Sequence, residues 1–130
     1  YNDPANIFVA QFIGTPKMNI LEINEKDLIS DNSIKLLGNE IIFDSLKLKK
    51  SKHFVGIRPE HLKVDQKTQF TFNPEIELIE NLGNEKIAYV KKEEHQLSAK
   101  VPSNVEIGSH IGFDIKDVFI FDQNGKRVKS

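Results

Sequence analysis

The sequence predicts an all-β barrel or sandwich that follows one short helix. Two observations support this fold class. Apolar residues recur in short bursts that are separated by turn signals, a spacing typical of strands rather than of a helical bundle. Residues 4 to 13 carry the start and stop signals of a single helix. We therefore expect about nine or ten short strands after that helix.

The helix is predicted from the residues that flank it. Asp3 can cap it, Pro4 suits its first position, Gly14 can adopt the left-handed stop and Pro16 prevents its continuation. Its apolar stripe is formed by Ile7, Phe8 and Phe12. This pattern alone predicts a short amphipathic helix.

The first half of the chain contains strands bounded by turn residues. The dipeptide Gly38-Asn39 is suited to a two-residue hairpin turn. Leu46 and Leu48 alternate with lysines, which is typical of a strand with one solvated face. Pro59 ends a strand because proline removes a ladder donor. The strands predicted here cover residues 18–23, 34–37, 40–43, 46–49 and 53–58.

The second half continues in the same way after a polar stretch, residues 63–73, which predicts a long loop. Gly83-Asn84 indicates a turn or bulge, and Asn124-Gly125 indicates a turn. The strands predicted here cover residues 75–80, 85–91, 96–101, 110–115 and 118–121.

The bulk composition is that of one domain with an adequate core, at 130 residues. There are 18 basic and 19 acidic residues, a balance that argues against binding nucleic acid through a dominating positive field. The chain has no cysteine, which excludes disulfides and thiolate chemistry. No apolar run approaches the roughly 18 to 20 residues that span a bilayer, and no signal-peptide pattern is present.

The sequence contains no recognisable catalytic or metal-binding pattern. No Gly-x-x-x-x-Gly-Lys loop is present to hold a nucleotide phosphate, so we expect no ATP hydrolysis. No serine lies in a Gly-x-Ser-x-Gly elbow. The four histidines lack the close spacing of a zinc site; they are His53, His61, His95 and His110. Glu75 and Glu77 share one face of a strand, and a solvated face explains them better than catalysis. We expect neither a catalytic residue nor a cofactor or metal site.

The basic run from Lys47 to His53, with Phe54 nearby, is the best argument for nucleic-acid binding, because strand barrels can combine aromatic platforms with cationic tracks. The alternative is a solvated edge whose lysines discourage strand-to-strand aggregation. We favour the second interpretation, since the sequence has no tryptophan and its phenylalanines lie in apolar bursts.

Four segments together resemble one known family. Residues 6–19 resemble the segment that joins the nucleotide-binding domain of sugar-importing ABC ATPases to their C-terminal regulatory domain. Residues 54–62, which include Gly-Ile-Arg-Pro-Glu-His, resemble an element of the regulatory domains of maltose-type importers. Residues 79–85 resemble the family's Glu-x-Leu-Gly-x-Glu, and residues 120–125 resemble its closing Leu-Phe-Asp-x-x-x-Gly. The segments follow the family order along nearly the whole chain, although residues 24–52 match no family motif.

The resemblance implies an OB-like barrel of the TOBE type, related to the MOP-like barrels, with a short N-terminal helix. It divides the chain into an interdomain linker helix, residues 1–15, and a regulatory domain, residues 16–130. The implied function is a noncatalytic regulatory and dimerisation domain of the ATP-binding subunit of a sugar or sugar-phosphate importer. ATP and Mg²⁺ would then bind only in the nucleotide-binding domain, and the subunit would lie at the cytoplasmic face of the membrane.

The resemblance also implies partners and interface residues. The partners would be a second copy of the subunit, the nucleotide-binding domain in cis, permease subunits and, in some relatives, a regulator protein. The candidate interface or regulatory residues are Phe12, Arg58, Pro59, Glu60, His61, Gly83 and Asn84. Two alternatives stay open: a small oxyanion-binding module of the molybdate type, which would use backbone nests, and a single-stranded nucleic-acid-binding OB domain.

Overall fold

The computed structural model describes residues 4–7, 9 and 16–129. Within these residues the chain is all-β, as the sequence predicts, with twelve strands. The strands are β1 Asn19–Ile23, β2 Leu28–Ser30, β3 Ser33–Leu36, β4 Asn39–Ile42, β5 His53–Ile57, β6 Lys63–Val64, β7 Phe70–Phe72, β8 Glu75–Asn81, β9 Glu85–Lys92, β10 His95–Pro102, β11 Ile111–Phe113 and β12 Phe119–Phe121. Three single-turn 3-10 helices cover Glu25–Asp27, Pro59–His61 and Ile115–Asp117.

The strands form four antiparallel sheets of three strands each, in the orders β1-β5-β12, β2-β3-β4, β6-β11-β7 and β10-β9-β8. None of these sheets closes on itself within the described residues. The chain divides into two compact units. The first unit comprises residues 1–57 and 118–130, and the second comprises residues 58–117.

The sheet β1-β5-β12 of the first unit is buried on both faces, since all three residues of β12 are buried. Leu21 and Ile23 of β1 are buried on one face. Met18 and Phe121 belong to an apolar cluster on the other face. A Cβ placed on Gly56 of β5 would lie 2.6 Å from Met18 Sδ. Glycine at this position therefore lets the Met18 side chain approach the sheet closely.

The β3-β4 hairpin differs from the prediction by one residue. Leu36 pairs with Asn39, so the two turn residues are Leu37 and Gly38 rather than Gly38 and Asn39. Their φ angles are 51° and 82°, as a type I′ turn requires. Leu37 adopts the left-handed conformation, which is unusual for leucine, while its side chain is buried.

Aromatic packing holds the sheet β6-β11-β7 in the second unit. The Phe113 ring lies 5.4 Å from the Phe70 ring and 6.3 Å from the Phe72 ring, measured between centroids. These separations lie in the favourable range for aromatic pairs. The neighbouring sheet β10-β9-β8 buries one face through alternate residues of β10, namely Leu97, Ala99 and Val101.

Two sequence predictions are wrong. Residues 46–49 form no strand: Leu48 is buried, and its N–H donates to the Asp31 carbonyl at 2.5 Å. Residues 63–73 are not one long loop, because they contain β6 and β7. Both strands are too short to produce a visible apolar alternation. The strand β2 was not predicted at all.

The predicted N-terminal helix falls mostly outside the described residues, as do its cap Asp3 and the candidate site residue Phe12. Of the described residues there, Asn6 forms an isolated antiparallel bridge with Lys126. The Asn6 side chain also accepts a hydrogen bond from the Val9 N–H at 2.9 Å, and Ile7 and Val9 have helical conformation. This bond has the geometry of a helix N-cap. Within the described chain, no helix is long and apolar enough to cross a membrane.

Candidate functional site

The first candidate site is the turn that follows β5. Arg58 has an extended backbone, as expected for a residue before proline. Pro59 then begins the 3-10 helix Pro59–His61, and the His61 N–H donates to the Arg58 carbonyl at 2.9 Å. Proline suits this first position because its fixed φ is already helical. The local sequence therefore holds four of the candidate residues, Arg58 to His61, in one rigid turn.

The side chains of this turn differ in exposure. Arg58 is 5% exposed, which is unusual for arginine, and Pro59 is buried, whereas Glu60 is exposed. His61 is half-buried, and its Nδ1 lies 3.6 Å from Asp117 Oδ1. Asp117 was not among the residues predicted from the sequence. No local motif marks it, because it lies far from His61 along the chain.

Gly83 and Asn84 lie in the connection between β8 and β9, apart in sequence from the first turn. Gly83 has a φ of 98°, which favours glycine, and its N–H donates to Asn81 Oδ1 at 3.0 Å. The Asn84 carbonyl accepts a hydrogen bond from the Ser103 N–H at 2.9 Å. Both contacts use backbone groups, so the geometry of this connection explains a glycine at position 83 without a ligand.

The basic run at residues 47–53 is the candidate for nucleic-acid binding. It contains four exposed lysines: Lys47, Lys49, Lys50 and Lys52. The Lys52 ammonium lies 2.9 Å from Glu22 Oε1 and also 5.5 Å from the centre of the Phe54 ring. His53 at the end of the run is buried, and its Nδ1 lies 2.9 Å from the Ser51 carbonyl. Lys52 is therefore already engaged by a carboxylate and an aromatic ring.

An open depression next to this run combines charges of both signs. It is lined by Asn24, Glu25, Lys26, Lys50, Ser51, Lys52 and Gln123. Its three lysines are all exposed, and Glu25 lies among them. Exposed, hydrated lysines of this kind are a weak basis for binding a small anion. In the described residues, no group of three or more histidine, aspartate or glutamate side chains is placed to hold a metal ion.

The strand β8 carries a feature that sequence reasoning missed. All seven of its residues are exposed, although the strand contains Ile76, Leu78 and Ile79. Leu82, directly after the strand, is also 55% exposed. The glutamates of this strand predict a solvated face, but the apolar residues between them are exposed as well. The run of three apolar residues within four positions was the available signal.

The fold changes the ionisation of Tyr89 on β9. Its hydroxyl donates to Glu80 Oε1 at 3.2 Å across the β8-β9 pair. Loss of solvent around the ring, and then the hydrogen bond and negative charge of Glu80, raise the pKa of Tyr89 above its usual value. A tyrosine of ordinary pKa, about 10, is already neutral at physiological pH, so Tyr89 serves there as a hydrogen-bond donor to Glu80.

Known proteins align with nearly the whole length of the chain. An sn-glycerol-3-phosphate import ATP-binding protein from Psychromonas ingrahamii is 36% identical over 94% of the chain. A maltose/maltodextrin import ATP-binding protein from Vibrio vulnificus is 29% identical over 99%. An alpha-glucoside transport ATP-binding protein from Rhizobium meliloti is 28% identical over the full chain. These relatives are ATP-binding subunits of sugar ABC importers, and nearly the whole chain is homologous to a part of them.

The match covers only part of each relative. The chain spans 35% of the length of the Psychromonas protein, 38% of the Vibrio protein and 39% of the Rhizobium protein. No family model matches the chain. The resemblance of the chain to sugar ABC importer ATP-binding subunits is confirmed by these relatives, while the roles of the individual residues in the Arg58–His61 turn and in the β8-β9 connection stay predictions.

Proposed function

We propose that this chain is a noncatalytic regulatory and dimerisation domain within the ATP-binding subunit of a carbohydrate importer, for a sugar or a sugar phosphate. One observation carries the proposal. Nearly all of the chain aligns with 35% to 38% of the length of two import ATP-binding proteins. Its own sequence nevertheless contains no phosphate-binding loop. The aligned third therefore supplies something other than nucleotide hydrolysis.

The fold supports a scaffold role. Twelve short antiparallel strands, with buried apolar faces in both units, are in keeping with an OB-like domain of the TOBE type. In this proposal residues 1–15 are the linker helix and residues 16–130 are the regulatory domain. Phe12, Arg58–His61, Gly83 and Asn84 are its candidate contacts with partners. The domain itself binds no ATP, Mg²⁺ or other cofactor.

A dimerisation domain would assist an ATPase for a simple physical reason. If two regulatory domains stay together while the nucleotide-binding domains separate, closure of the nucleotide sites becomes effectively intramolecular. This raises the effective concentration of one site near the other without adding contacts at the ATP. A regulator that binds better to one arrangement would shift the equilibrium between open and closed states. The partners are then a second copy, the nucleotide-binding domain in cis and the permease at the cytoplasmic face of the membrane.

Sedimentation velocity over a range of concentrations tests the dimerisation proposal on this 130-residue chain. We expect weak, concentration-dependent dimers, because the nucleotide-binding domains that would add to pairing are not part of the chain. A species that remains monomeric at the highest attainable concentration would contradict dimerisation. Hydrolysis of ATP by the purified chain, measured as phosphate release, would contradict the noncatalytic assignment.

A further inference from the structure

The outer edge of β8 is the most exposed apolar surface among the described residues. β8 is an edge strand, because the sheet order is β10-β9-β8 and no other described strand pairs with its second side. Edge strands of native proteins are commonly protected by lysine, proline or a covering element. β8 itself contains neither lysine nor proline, although Pro74 precedes it and a bulge interrupts it between Ile76 and Leu78.

The hydrogen-bond pattern identifies which backbone groups are open. The Leu82 N–H donates to the Glu85 carbonyl at 2.8 Å, so Leu82 faces β9. Because backbone groups alternate in direction along a strand, Glu80 and Leu78 also face β9. The N–H and C=O groups of Ile79 and Asn81 are then directed away from β9, where an added strand would bind them.

The side chains show that one face of the sheet lacks cover at β8. Residues that are opposite each other in the ladder share a face. Ile79 is opposite Ala88, which is opposite Ala99, and both alanines are fully buried. Ile79 continues the same face but is 46% exposed. Ile76, opposite the buried Val90, is likewise 39% exposed. The buried face of the sheet therefore extends beyond its present cover.

The opposite face of β8 is acidic. Glu75 and Glu80 lie there with Leu78, since their ladder partners Lys91, Ile87 and Tyr89 share that face. Glu77 is at the bulge and exposed. A segment that pairs with β8 would bind most tightly if it placed apolar side chains on the face of Ile76 and Ile79 and positively charged side chains on the face of the glutamates. The side chains of such a segment would therefore alternate between apolar and basic, because successive side chains of an extended strand point to opposite faces.

We propose that the β8 edge is a docking site for an extended polypeptide segment with alternating apolar and basic side chains, which adds a fourth strand beside β8. A second copy of β8 fits the same edge less well, because it would bring its own three glutamates and no basic residue to the seam. The proposal goes beyond the proposed function and does not depend on it.

The test uses amide hydrogen exchange by NMR with a designed peptide, acetyl-Val-Lys-Val-Lys-Val-Lys-Val-amide, added to the 130-residue chain. In the free protein we expect rapid exchange at Ile79 and Asn81 and slow exchange at Glu80, which faces β9. With saturating peptide, exchange at Ile79 and Asn81 should slow by about tenfold or more while Glu80 changes little. The effect should weaken as salt is added.

Matched peptides and variants complete the experiment. A peptide with glutamate in place of lysine, and one N-methylated at alternate amides, should each fail to protect these amides. Glu77→Lys should weaken binding of the lysine peptide, whereas Glu106→Lys, the same charge change in an exposed loop of the same unit, should not. Unchanged exchange at Ile79 and Asn81 with the lysine peptide would overturn the proposal. Protection that rises with protein concentration alone would also overturn it, because the occupant would then be a second copy.

Discussion

His61 Nδ1 lies 3.6 Å from Asp117 Oδ1, and this contact connects the last residues of two 3-10 helices, Pro59–His61 and Ile115–Asp117. Within the described chain, neither His61 Nδ1 nor Asp117 Oδ2 has a hydrogen-bond partner, although both atoms are buried. A buried polar atom without a partner is costly. The contact between these two side chains is therefore the interaction that limits this cost.

We expect neutral His61 to carry its hydrogen on Nδ1, because a bare nitrogen would direct its lone pair at the carboxylate. Long-range ¹H-¹⁵N NMR of the imidazole identifies the tautomer. In a double-mutant cycle of His61→Ala and Asp117→Ala, the coupling free energy of unfolding should be about 0.5–1 kcal/mol. His110→Ala, at an exposed histidine, is the control and should change stability little. An Nε2–H tautomer, or additive effects in the cycle, would contradict this expectation.

Gly112 of β11 packs directly against Thr68, and this predicts a large effect of a small substitution. A Cβ at position 112 would overlap Thr68 Oγ1 and would lie 3.0 Å from the Phe70 carbonyl oxygen. Thr68 cannot move freely, since its hydroxyl donates to that same carbonyl at 2.8 Å. We expect Gly112→Ala to lower the free energy of unfolding by roughly 1–3 kcal/mol, measured by urea denaturation.

Two further variants test the cause of this loss. Gly108→Ala should cost less, because its nearest neighbour is the end of the Asp65 side chain, which can rotate away. In the Thr68→Ala background the cost of Gly112→Ala should fall, since the overlapping hydroxyl is gone. An equal cost in both backgrounds would show that the Thr68 hydroxyl is not the obstacle.

The strands with clear apolar alternation were predictable from the sequence, and so was the turn at Arg58-Pro59, where proline restricts both residues. The hairpin after β3 was predicted one residue late, because Leu37 accepts a left-handed conformation that sequence rules reserve for glycine or asparagine. The strand predicted at residues 46–49 failed for a different reason. Its alternation is real, but Leu48 lies in irregular backbone, is buried, and donates its N–H to the Asp31 carbonyl.

The candidate site was only partly predictable, and the missing parts have two different causes. Asp117 meets His61 through tertiary contact, which no local pattern encodes. On β8 the bulge between Ile76 and Leu78 shifts the alternation, so that Ile76 and Ile79 lie on one face despite their odd spacing. A strict period of two would place these residues on opposite faces.

The lysine-lined depression of the first unit allows the two alternative functions to be tested. Lys26, Lys50 and Lys52 are exposed, and Lys52 is paired with Glu22. We expect no binding of molybdate at micromolar concentration by titration calorimetry, and no retardation of labelled single-stranded oligonucleotides at low ionic strength. Micromolar molybdate binding would support the oxyanion module instead. Oligonucleotide binding that falls steeply with salt would support a nucleic-acid-binding domain.

Tyr89 should titrate above the usual tyrosine pKa of about 10. Partial loss of solvent raises its pKa, and the hydrogen bond and charge of Glu80 raise it further. A pKa that is higher in the folded than in the unfolded state means that the fold favours the neutral phenol. This contribution to stability is complete below the unfolded pKa and is lost as the pH rises through the folded pKa.

Absorbance at about 295 nm follows the phenolate, and the other tyrosine, Tyr1, can be removed with Tyr1→Phe so that the signal belongs to Tyr89. Glu80→Gln removes the carboxylate but keeps an oxygen that can accept the phenol hydrogen bond. In this variant the pKa of Tyr89 should fall towards its usual value and stay somewhat above it, because the loss of solvent persists. An unchanged pKa in Glu80→Gln would show that the negative charge of Glu80 does not act on Tyr89 in solution.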